Sequence, residues 1–357
     1  MSITDSLFKT IINGKEGRNI GIPTGLPTLD KYTYGVQRGY ITTIFADSGA
    51  GKTTYTLFTQ VYAPLKHALE HDIDISFLYF SFEMGSEALF AKLLSLYVWD
   101  TYKRIMSFDT IMSLTNPIND EDFKIISDAK AWLETIEKLI TVIDKPMTPE
   151  QISVVLRMWN EKYGKFIPLE NEQENYVPHN RDMYKIVIID HIKLTKSTPK
   201  GTKATIDDVC DELIYFRNKC NCSAVIVQQA NRQSKSMDRR NGGFQLLQLD
   251  DMSDSSGPAQ ASEVVIGIFH PYREKMNNID GYNVKILKDR IRTIQILKQR
   301  YGQSDINKCV SFFGEIGWFQ ELPDADQIYD YDLYLNLEDT QQKPADKPKP
   351  QEMTFQL

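Results

Sequence analysis

The sequence predicts an α/β fold, a doubly wound, mostly parallel sheet with helices on both faces. Three observations lead there. Short continuous apolar runs recur at residues 40–46, 75–82, 139–143, 186–189, 224–227 and 264–269, and runs of that kind suit strands buried on both faces. Helical stretches separate them, as the crossovers of a parallel sheet require. The first run leads into Ala46-Asp47-Ser48-Gly49-Ala50-Gly51-Lys52-Thr53-Thr54 and then into a helical pattern. A strand, a glycine-bearing loop and a helix in that order let backbone N–H groups converge on a phosphate.

Taken in chain order, residues 1–19 hold one short amphipathic helix, marked by Ile3, Leu7, Phe8, Ile11 and Ile12 and ending near Gly14. Residues 20–337 make the α/β domain, which closes with a strand at 310–313 and has Trp318-Phe319 beyond it. Inside it, residues 165–182 are polar, contain Pro168 and Pro178, and read as an insertion; residues 232–249 read as a long, partly basic loop. Residues 338–357 have almost nothing to bury and read as a disordered tail.

Composition removes several classes of function. With 357 residues, 41% hydrophobic and 25% charged, the chain can build a substantial core. No apolar run reaches the ~18 residues of a membrane span, and the N-terminus has no signal-peptide pattern, so a cytoplasmic location is expected. Cys210, Cys220, Cys222 and Cys309 form neither a disulfide framework nor a paired zinc motif, and reduced structural thiols are expected. The net charge of −7 argues against coating nucleic acid by bulk attraction, and leaves room for a local basic channel.

The loop at 46–54 has the parts that a nucleoside triphosphate needs. Gly49 and Gly51 let it curl around the β-phosphate, Lys52 can reach the β and γ oxygens, and Asp47, Ser48, Ala50 and Thr54 complete the cradle. The Thr53 hydroxyl is a ligand for Mg²⁺, and ATP with Mg²⁺ is the expected cargo. Ala46 stands where such loops usually have their first glycine. Asp190 ends the apolar run Ile186-Val187-Ile188-Ile189, where a carboxylate serves either as a strand terminator or as the second metal ligand; the loop upstream favours the metal. Glu83 follows the run at 75–82 and should emerge on the same sheet edge, because parallel strands present their carboxyl ends together. It reads equally as a water-activating base and as a helix-start carboxylate.

Gly21-Ile22-Pro23-Thr24-Gly25-Leu26-Pro27-Thr28-Leu29-Asp30, the phosphate loop, Ser81-Phe82-Glu83-Met84, Ile189-Asp190, Gln228-Gln229-Ala230-Asn231-Arg232 and Lys298-Gln299-Arg300-Tyr301-Gly302 follow one another in this order. Together they resemble the motor domain of DnaB-type replicative helicases, superfamily 4 members of the RecA-like class, over residues 20 to 322. The resemblance implies a RecA-like P-loop NTPase core and a DNA-stimulated ATP hydrolase. It makes Glu83 the water-activating glutamate and Gln229 the sensor of the γ-phosphate. Lys298 and Arg300 become the pair that reaches into the neighbouring subunit's site. A hexameric ring follows, with the helix at 3–12 docked on the adjacent subunit. Without the resemblance, Lys298 and Arg300 read as a solvated pair on an edge strand.

The same resemblance places two basic segments in a central channel for single-stranded DNA: Lys193, Lys196, Lys200 and Lys203 after the Asp190 strand, and Arg232, Lys235, Arg239 and Arg240 after the Gln229 strand. A primase or a helicase loader is the further partner it implies. Three departures stand out. No N-terminal helical domain precedes residue 20, Ser253 occupies a position where the family has arginine, and residues 165–182 have no counterpart. A stripped helicase of this kind suggests a bacteriophage source and the host cytoplasm. Two other functions fit the same phosphate loop: a RecA-like recombinase or mediator that forms open filaments, and a non-motor loader or regulator that uses ATP as a switch.

Overall fold

The computed structural model describes residues 2–169, 174–231, 246–252 and 255–338. In chain order come α1 (Ile3–Lys15), α2 (Pro27–Thr33) and β1 (Ile41–Ala46). One helix then runs through α3 (Lys52–Thr56), a π-helical turn (Leu57–Tyr62) and α4 (Ala63–Glu70) to β2 (Ile75–Ser81). The helices α5 (Ser86–Tyr102), α6 (Phe108–Ile111), α7 (Asp120–Asp128) and α8 (Lys130–Leu139) lead to β3 (Ile140–Ile143). Next are α9 (Pro149–Glu161), the pair β4 (Gly164–Pro168) and β5 (Glu174–Pro178), then β6 (Tyr184–Asp190), α10 (Thr202–Cys220), β7 (Ser223–Gln229) and β8 (Val264–Phe269). Two short strands, β9 (Asn278–Ile279) and β10 (Tyr282–Asn283), precede β11 (Ile291–Gln299), β12 (Ile306–Phe313) and β13 (Trp318–Glu321).

The main sheet has the order β13-β12-β11-β8-β1-β7-β6-β2-β3. The strands from β8 to β3 are parallel, and β11, β12 and β13 add an antiparallel flank. Successive side chains of a strand point to opposite faces, so a strand buried on both sides feeds two cores. β2 sends Phe77 and Tyr79 into one and Leu78 and Phe80 into the other; β6 divides Ile186 and Ile188 from Val187 and Ile189 in the same way. The first core is covered by the helix 52–70 with α5 and α8, the second by α9 and α10. This is the doubly wound arrangement the apolar runs predicted.

Two elements differ from the sequence reading. Residues 165–182, expected as an insertion loop, include most of an antiparallel hairpin, β4 against β5. Its Phe166 and Tyr176 turn toward α9 and α10, and the Tyr176 hydroxyl donates to the Asn160 carbonyl at 2.9 Å. Gly164 is needed there, because a Cβ would sit 2.5 Å from the Tyr176 ring. The alternation around Phe166 and Tyr176 was too short to outweigh the polar composition. The second difference is β11, which no apolar run announced because Arg292, Thr293, Gln295 and Lys298 interrupt it. It lies between β8 and β12, so Lys298 is on an interior strand and not an edge.

α1 forms where expected and extends to Lys15, opened by a capping box between Ser2 and Asp5. Its apolar stripe, Ile3, Leu7, Phe8, Ile11 and Ile12, is exposed. Among the described residues no helix is long and apolar enough to cross a membrane. The four cysteines are free and buried. The predicted tail from Asp339 onward, the basic positions Arg232, Lys235, Arg239 and Arg240, and Ser253 all lie outside the described residues.

The segment before β1 is tied to the last strand by one carboxylate and braced within itself by another. The Thr28 hydroxyl and backbone N–H donate to Glu321 of β13. The Thr24 hydroxyl donates to Asp30 Oδ1 at 2.7 Å, and the Thr24 N–H donates to the same carboxylate. Burial pushes the Asp30 carboxyl up to about 6, with the Thr24 hydrogen bonds acting in the opposite direction and Glu321 adding to the rise. A raised pKa means that the folded state holds the proton that the unfolded chain releases near 4. Stability from this group therefore falls as pH rises from about 4 to about 6. Denaturant midpoints for wild type and Asp30→Asn should diverge in slope across that window, the wild type losing at most about 3 kcal/mol that the variant keeps.

Candidate nucleotide site

β1 ends at Ala46, and the chain turns through a loop before the helix at Lys52. Gly49 (φ +77°) and Gly51 (φ +105°) take left-handed conformations that side chains resist, and Ala50 is fully buried between them. The helix starts at Gly51 with no side-chain cap, so its first N–H groups are available to an anion. Burial holds the Lys52 ammonium below its ordinary pKa, while Asp190, Glu83 and Asp47 oppose that shift. Those three carboxylates are thus within electrostatic reach of it.

Sheet register brings the other predicted residues to the same edge. Ala46 pairs with Gln229 at the end of β7, and Ser81 at the end of β2 pairs with Asp190 at the end of β6. Glu83 lies in the exposed turn just after β2. Asp190 is buried; its Oδ1 accepts from the Thr53 hydroxyl at 3.2 Å and its Oδ2 from the Tyr79 hydroxyl at 2.9 Å. Burial pushes its carboxyl up to about 6 against the pull of those two hydroxyls. A buried carboxylate whose pKa is raised has less positive charge around it than it could use. A carboxylate beside a hydroxyl is the hard-oxygen donor set that Mg²⁺ takes. Among the described residues no three of His, Cys, Asp and Glu converge, so these two donors would need phosphate and water oxygens to complete a metal's shell.

Lys298 and Arg300 sit at the opposite edge. β11 runs antiparallel to β8, so Lys298 and Gln299 pair with Val265 and Val264 at the start of β8. The intervening strand length is about 20 Å for six residues. Lys298 Nζ donates to the Ala259 carbonyl at 2.7 Å, and Arg300 Nη1 to Glu263 Oε1 at 2.8 Å. They are not brought together with Lys52 of their own chain. Lys193, Lys196, Lys200 and Lys203 are all exposed in or after the segment that follows β6, and Lys200 pairs with Asp208 at 3.1 Å.

The DnaB-like helicase C-terminal domain model matches residues 21–321. The chain belongs to this family. Curated relatives include the replicative DNA helicase DnaB of Helicobacter pylori, 24% identical over 276 residues, covering 75% of this chain and 48% of the relative. The DnaB of Leifsonia xyli is 22% identical over 255 residues, covering 71% and 47%. The chain therefore spans about half the length of the curated relatives it matches. Among solved structures, one ATPase domain superposes with a TM-score of 0.68 at 20% identity, covering 90% of this chain and 99% of that one. A DnaB-like replicative helicase, solved in a study of its interactions with primase, gives 0.65 at 20% identity, covering 90% and 67%. Both likenesses concern the fold.

This DnaB-like domain has three residues beside its phosphate loop that sequence reasoning missed. Arg292, buried on β11, donates from Nε to the Ala50 carbonyl at 3.0 Å and from Nη1 to the carbonyls of Asp289 and Ile291 at 2.7 and 2.8 Å. Its guanidinium lies 4.7 Å from the centre of the Phe312 ring. Burial among carbonyls pushes it down to about 10. His270 is buried beside it and is pushed down to about 4 by burial and by the Arg292 charge; its Nε2 is 3.2 Å from Asp289 Oδ1, but neither ring nitrogen makes an aligned hydrogen bond. Arg273 donates to the Ser48 carbonyl. A cavity of about 600 Å³ opens at Gly49, lined by His270, Asp289, Arg292, Phe312 and Glu315 among others. The signal was present in Arg292 itself, a charged residue at an inward position of a strand.

Arg292→Met should release the Ala50 carbonyl and destabilise the fold by about 1–3 kcal/mol. Titration with a fluorescent nucleotide should show binding about tenfold weaker. Arg292→Lys should recover only part of either loss, because an ammonium cannot reproduce the planar donor fork or stack on Phe312.

Proposed function

We propose that this chain is the ATP-driven motor of a ring-shaped replicative DNA helicase, which hydrolyses ATP with Mg²⁺ at subunit interfaces and moves on single-stranded DNA. The observation that carries the reading is the division of the site. The phosphate loop, Glu83, Asp190 and Gln229 share one edge of the sheet, and Lys298 and Arg300 occupy the other. Cations about 20 Å from their own phosphate loop can act only on the loop of another copy. A contact that joins one edge to the opposite edge of the next copy is head-to-tail, and such contacts close into a ring when the rotation allows.

In that assembly the backbone N–H groups of Gly49 to Thr53 and the Lys52 ammonium hold the β- and γ-phosphates, and the nucleoside extends toward the cavity at Gly49. Thr53 and Asp190 would hold Mg²⁺, which would supply positive charge against the charge that develops on the γ-phosphoryl group. Glu83 takes the proton of a water as the water oxygen bonds to the γ-phosphorus and the bond to the leaving ADP oxygen breaks. Lys298 and Arg300 of the neighbour stabilise the charge spread over the transferring group. Gln229, joined through β7 to the basic segment that follows it, reports the loss of the γ-phosphate to the DNA. Lys193, Lys196, Lys200 and Lys203 after β6, and Arg232, Lys235, Arg239 and Arg240, which follow β7 in sequence, grip the backbone of single-stranded DNA. A primase or a loader is the further partner proposed. The exposed stripe of α1 has the length and amphipathicity to dock on an adjacent copy.

Steady-state ATPase rates with and without single-stranded DNA test the motor. DNA should stimulate wild type several-fold, and Glu83→Gln should bind ATP normally while losing at least 100-fold in kcat. An unstimulated wild type that cannot separate a forked duplex would refute the helicase, and filaments in electron micrographs would favour the recombinase. The docking of α1 has its own test. Leu7→Asp with Ile11→Asp should convert the assembly largely to monomers in mass photometry, with nucleotide binding retained and hydrolysis reduced at least tenfold; rings of undiminished stability would remove α1 from the interface.

A further inference from the structure

Glu263 lies just before β8, and its carboxylate is buried at the edge of the sheet opposite the phosphate loop. Its Oε1 accepts from Arg300 Nη1 at 2.8 Å and from Arg217 Nη1 at 2.8 Å. Its Oε2 accepts from the Ile41 N–H at 2.8 Å, the first residue of β1. The main chain repeats the pattern: Glu263 N–H donates to the Ile41 carbonyl at 2.8 Å, and Arg300 N–H donates to the Glu263 carbonyl at 2.9 Å. One residue thus joins the start of β1, the end of β11 and α10.

We propose that Glu263 is the positioning residue for the trans-acting arginine, holding the Arg300 guanidinium at the subunit edge and fixing it to the strand whose far end is the phosphate loop. The inference rests on the reading of Lys298 and Arg300 as cations that serve the neighbour's site. Three features separate this role from simple packing.

The carboxylate is hidden and the guanidinium is not: the Glu263 side chain is 4% exposed and that of Arg300 40%. An approaching phosphate meets the cation without meeting the anion. The charge count is the second feature. Arg217, Lys298 and Arg300 surround a single carboxylate, so pairing orients Arg300 while leaving the cluster positive. Had Glu263 faced Arg300 alone, it would have cancelled the charge a phosphate needs. The third is connectivity. β1 is clamped at Ile41 by Glu263 and ends at Ala46, where the phosphate loop begins. The arginine that completes one nucleotide site is therefore fastened to the strand that bears the phosphate loop of the next.

The experiment is a double-mutant cycle on the full chain, with ATP, Mg²⁺ and single-stranded DNA. Glu263→Gln keeps an oxygen for the Ile41 N–H and removes the charge that holds Arg300. It should lower kcat about tenfold or more, leave KM for ATP within about twofold, and leave the oligomer mass unchanged. Arg300→Ala should lower kcat at least as far. The double variant should match Arg300→Ala within about twofold, because a residue that acts through Arg300 has nothing to position once Arg300 is gone.

A Glu263→Gln rate within twofold of wild type overturns the proposal. So does a double variant whose loss equals the product of the two single losses, since that marks a structural effect independent of Arg300. If Arg300→Ala itself hydrolyses at the wild-type rate, the trans-acting reading fails, and the proposal falls with it for that separate and visible reason. Should Glu263→Gln fail to assemble, Glu263→Asp keeps the charge, shortens the reach by one methylene, and runs through the same cycle with the same criteria.

Discussion

The fixed register of β1 between β7 and β8 is the constraint on which the rest of the molecule depends. A strand with parallel neighbours on both sides and covered faces cannot slip by one residue without sending every side chain to the wrong core. Ile44 and Ala46 belong to one core and Ile41 to the other, so β1 is held from both directions. Its carboxyl end therefore stands at a defined height beside Gln229 of β7, and through β6 and β2 beside Asp190 and Ser81. The loop after β1 needs no rigidity of its own beyond two left-handed glycines. Precision at the phosphate site is inherited from a sheet whose central strands are buried on both faces.

Charges around that site are placed by burial as much as by pairing. Lys52 and Arg292 are both held below their ordinary pKa by desolvation, and Asp190 is held above its own. In each case burial outweighs the nearby opposite charges: Asp190, Glu83 and Asp47 for Lys52, Asp289 for Arg292, and Lys52 for Asp190. Under the proposed function, a triphosphate with a divalent ion would bring further negative charge to the loop and further positive charge to Asp190. Preorganisation of this kind costs the domain stability and would return it as affinity for such a ligand. Arg292 differs from Lys52 in having every bond directed at main-chain carbonyls. It shapes the loop from behind and raises the potential in front of it.

Much of this was legible in the sequence, and the parts that were not share a physical cause. Six parallel strands announced themselves because strands buried on both faces must be continuously apolar. The phosphate loop, Asp190 and Glu83 were visible because each follows such a run, and parallel topology then dictates that they share an edge. β11 was invisible as a strand for the converse reason: Arg292 binds carbonyls, Gln295 hydrogen-bonds the Leu247 backbone, and Lys298 binds the Ala259 carbonyl. Its polar residues are satisfied by tertiary partners that no local window contains. The β4–β5 hairpin hid similarly, since Phe166 and Tyr176 pack on α9 and α10 and Glu174 is bound by Arg157 and Tyr215, partners that lie outside the hairpin. Glu263 has no local signature either, being one acidic residue ahead of an apolar run, and its meaning comes from Arg217, Arg300 and Ile41, which are far from it in sequence.

The amino-terminal edge of the sheet unites two features that the sequence presents at opposite ends of the chain. Tyr301, next to Arg300, packs its ring 5.7 Å from Tyr40 at the approach to β1, and its carbonyl accepts from the Tyr34 hydroxyl at 3.2 Å. The same stretch borders a cavity of about 770 Å³ whose lining includes Thr10 of α1, Arg18, Arg38 and Tyr40. α1 therefore leaves the domain from the edge that carries the cation pair. If Lys298 and Arg300 enter a neighbour's site, that edge faces the neighbour, and an apolar helix rooted there addresses the same copy. The two contacts then reinforce each other: the helix supplies apolar burial that holds the copies together, and the cations supply a charge contact that matters only while a phosphate is present. Hydrophobic contact is indifferent to the nucleotide state and electrostatic contact is not, which is the combination a cycling interface requires if it is to change grip without coming apart.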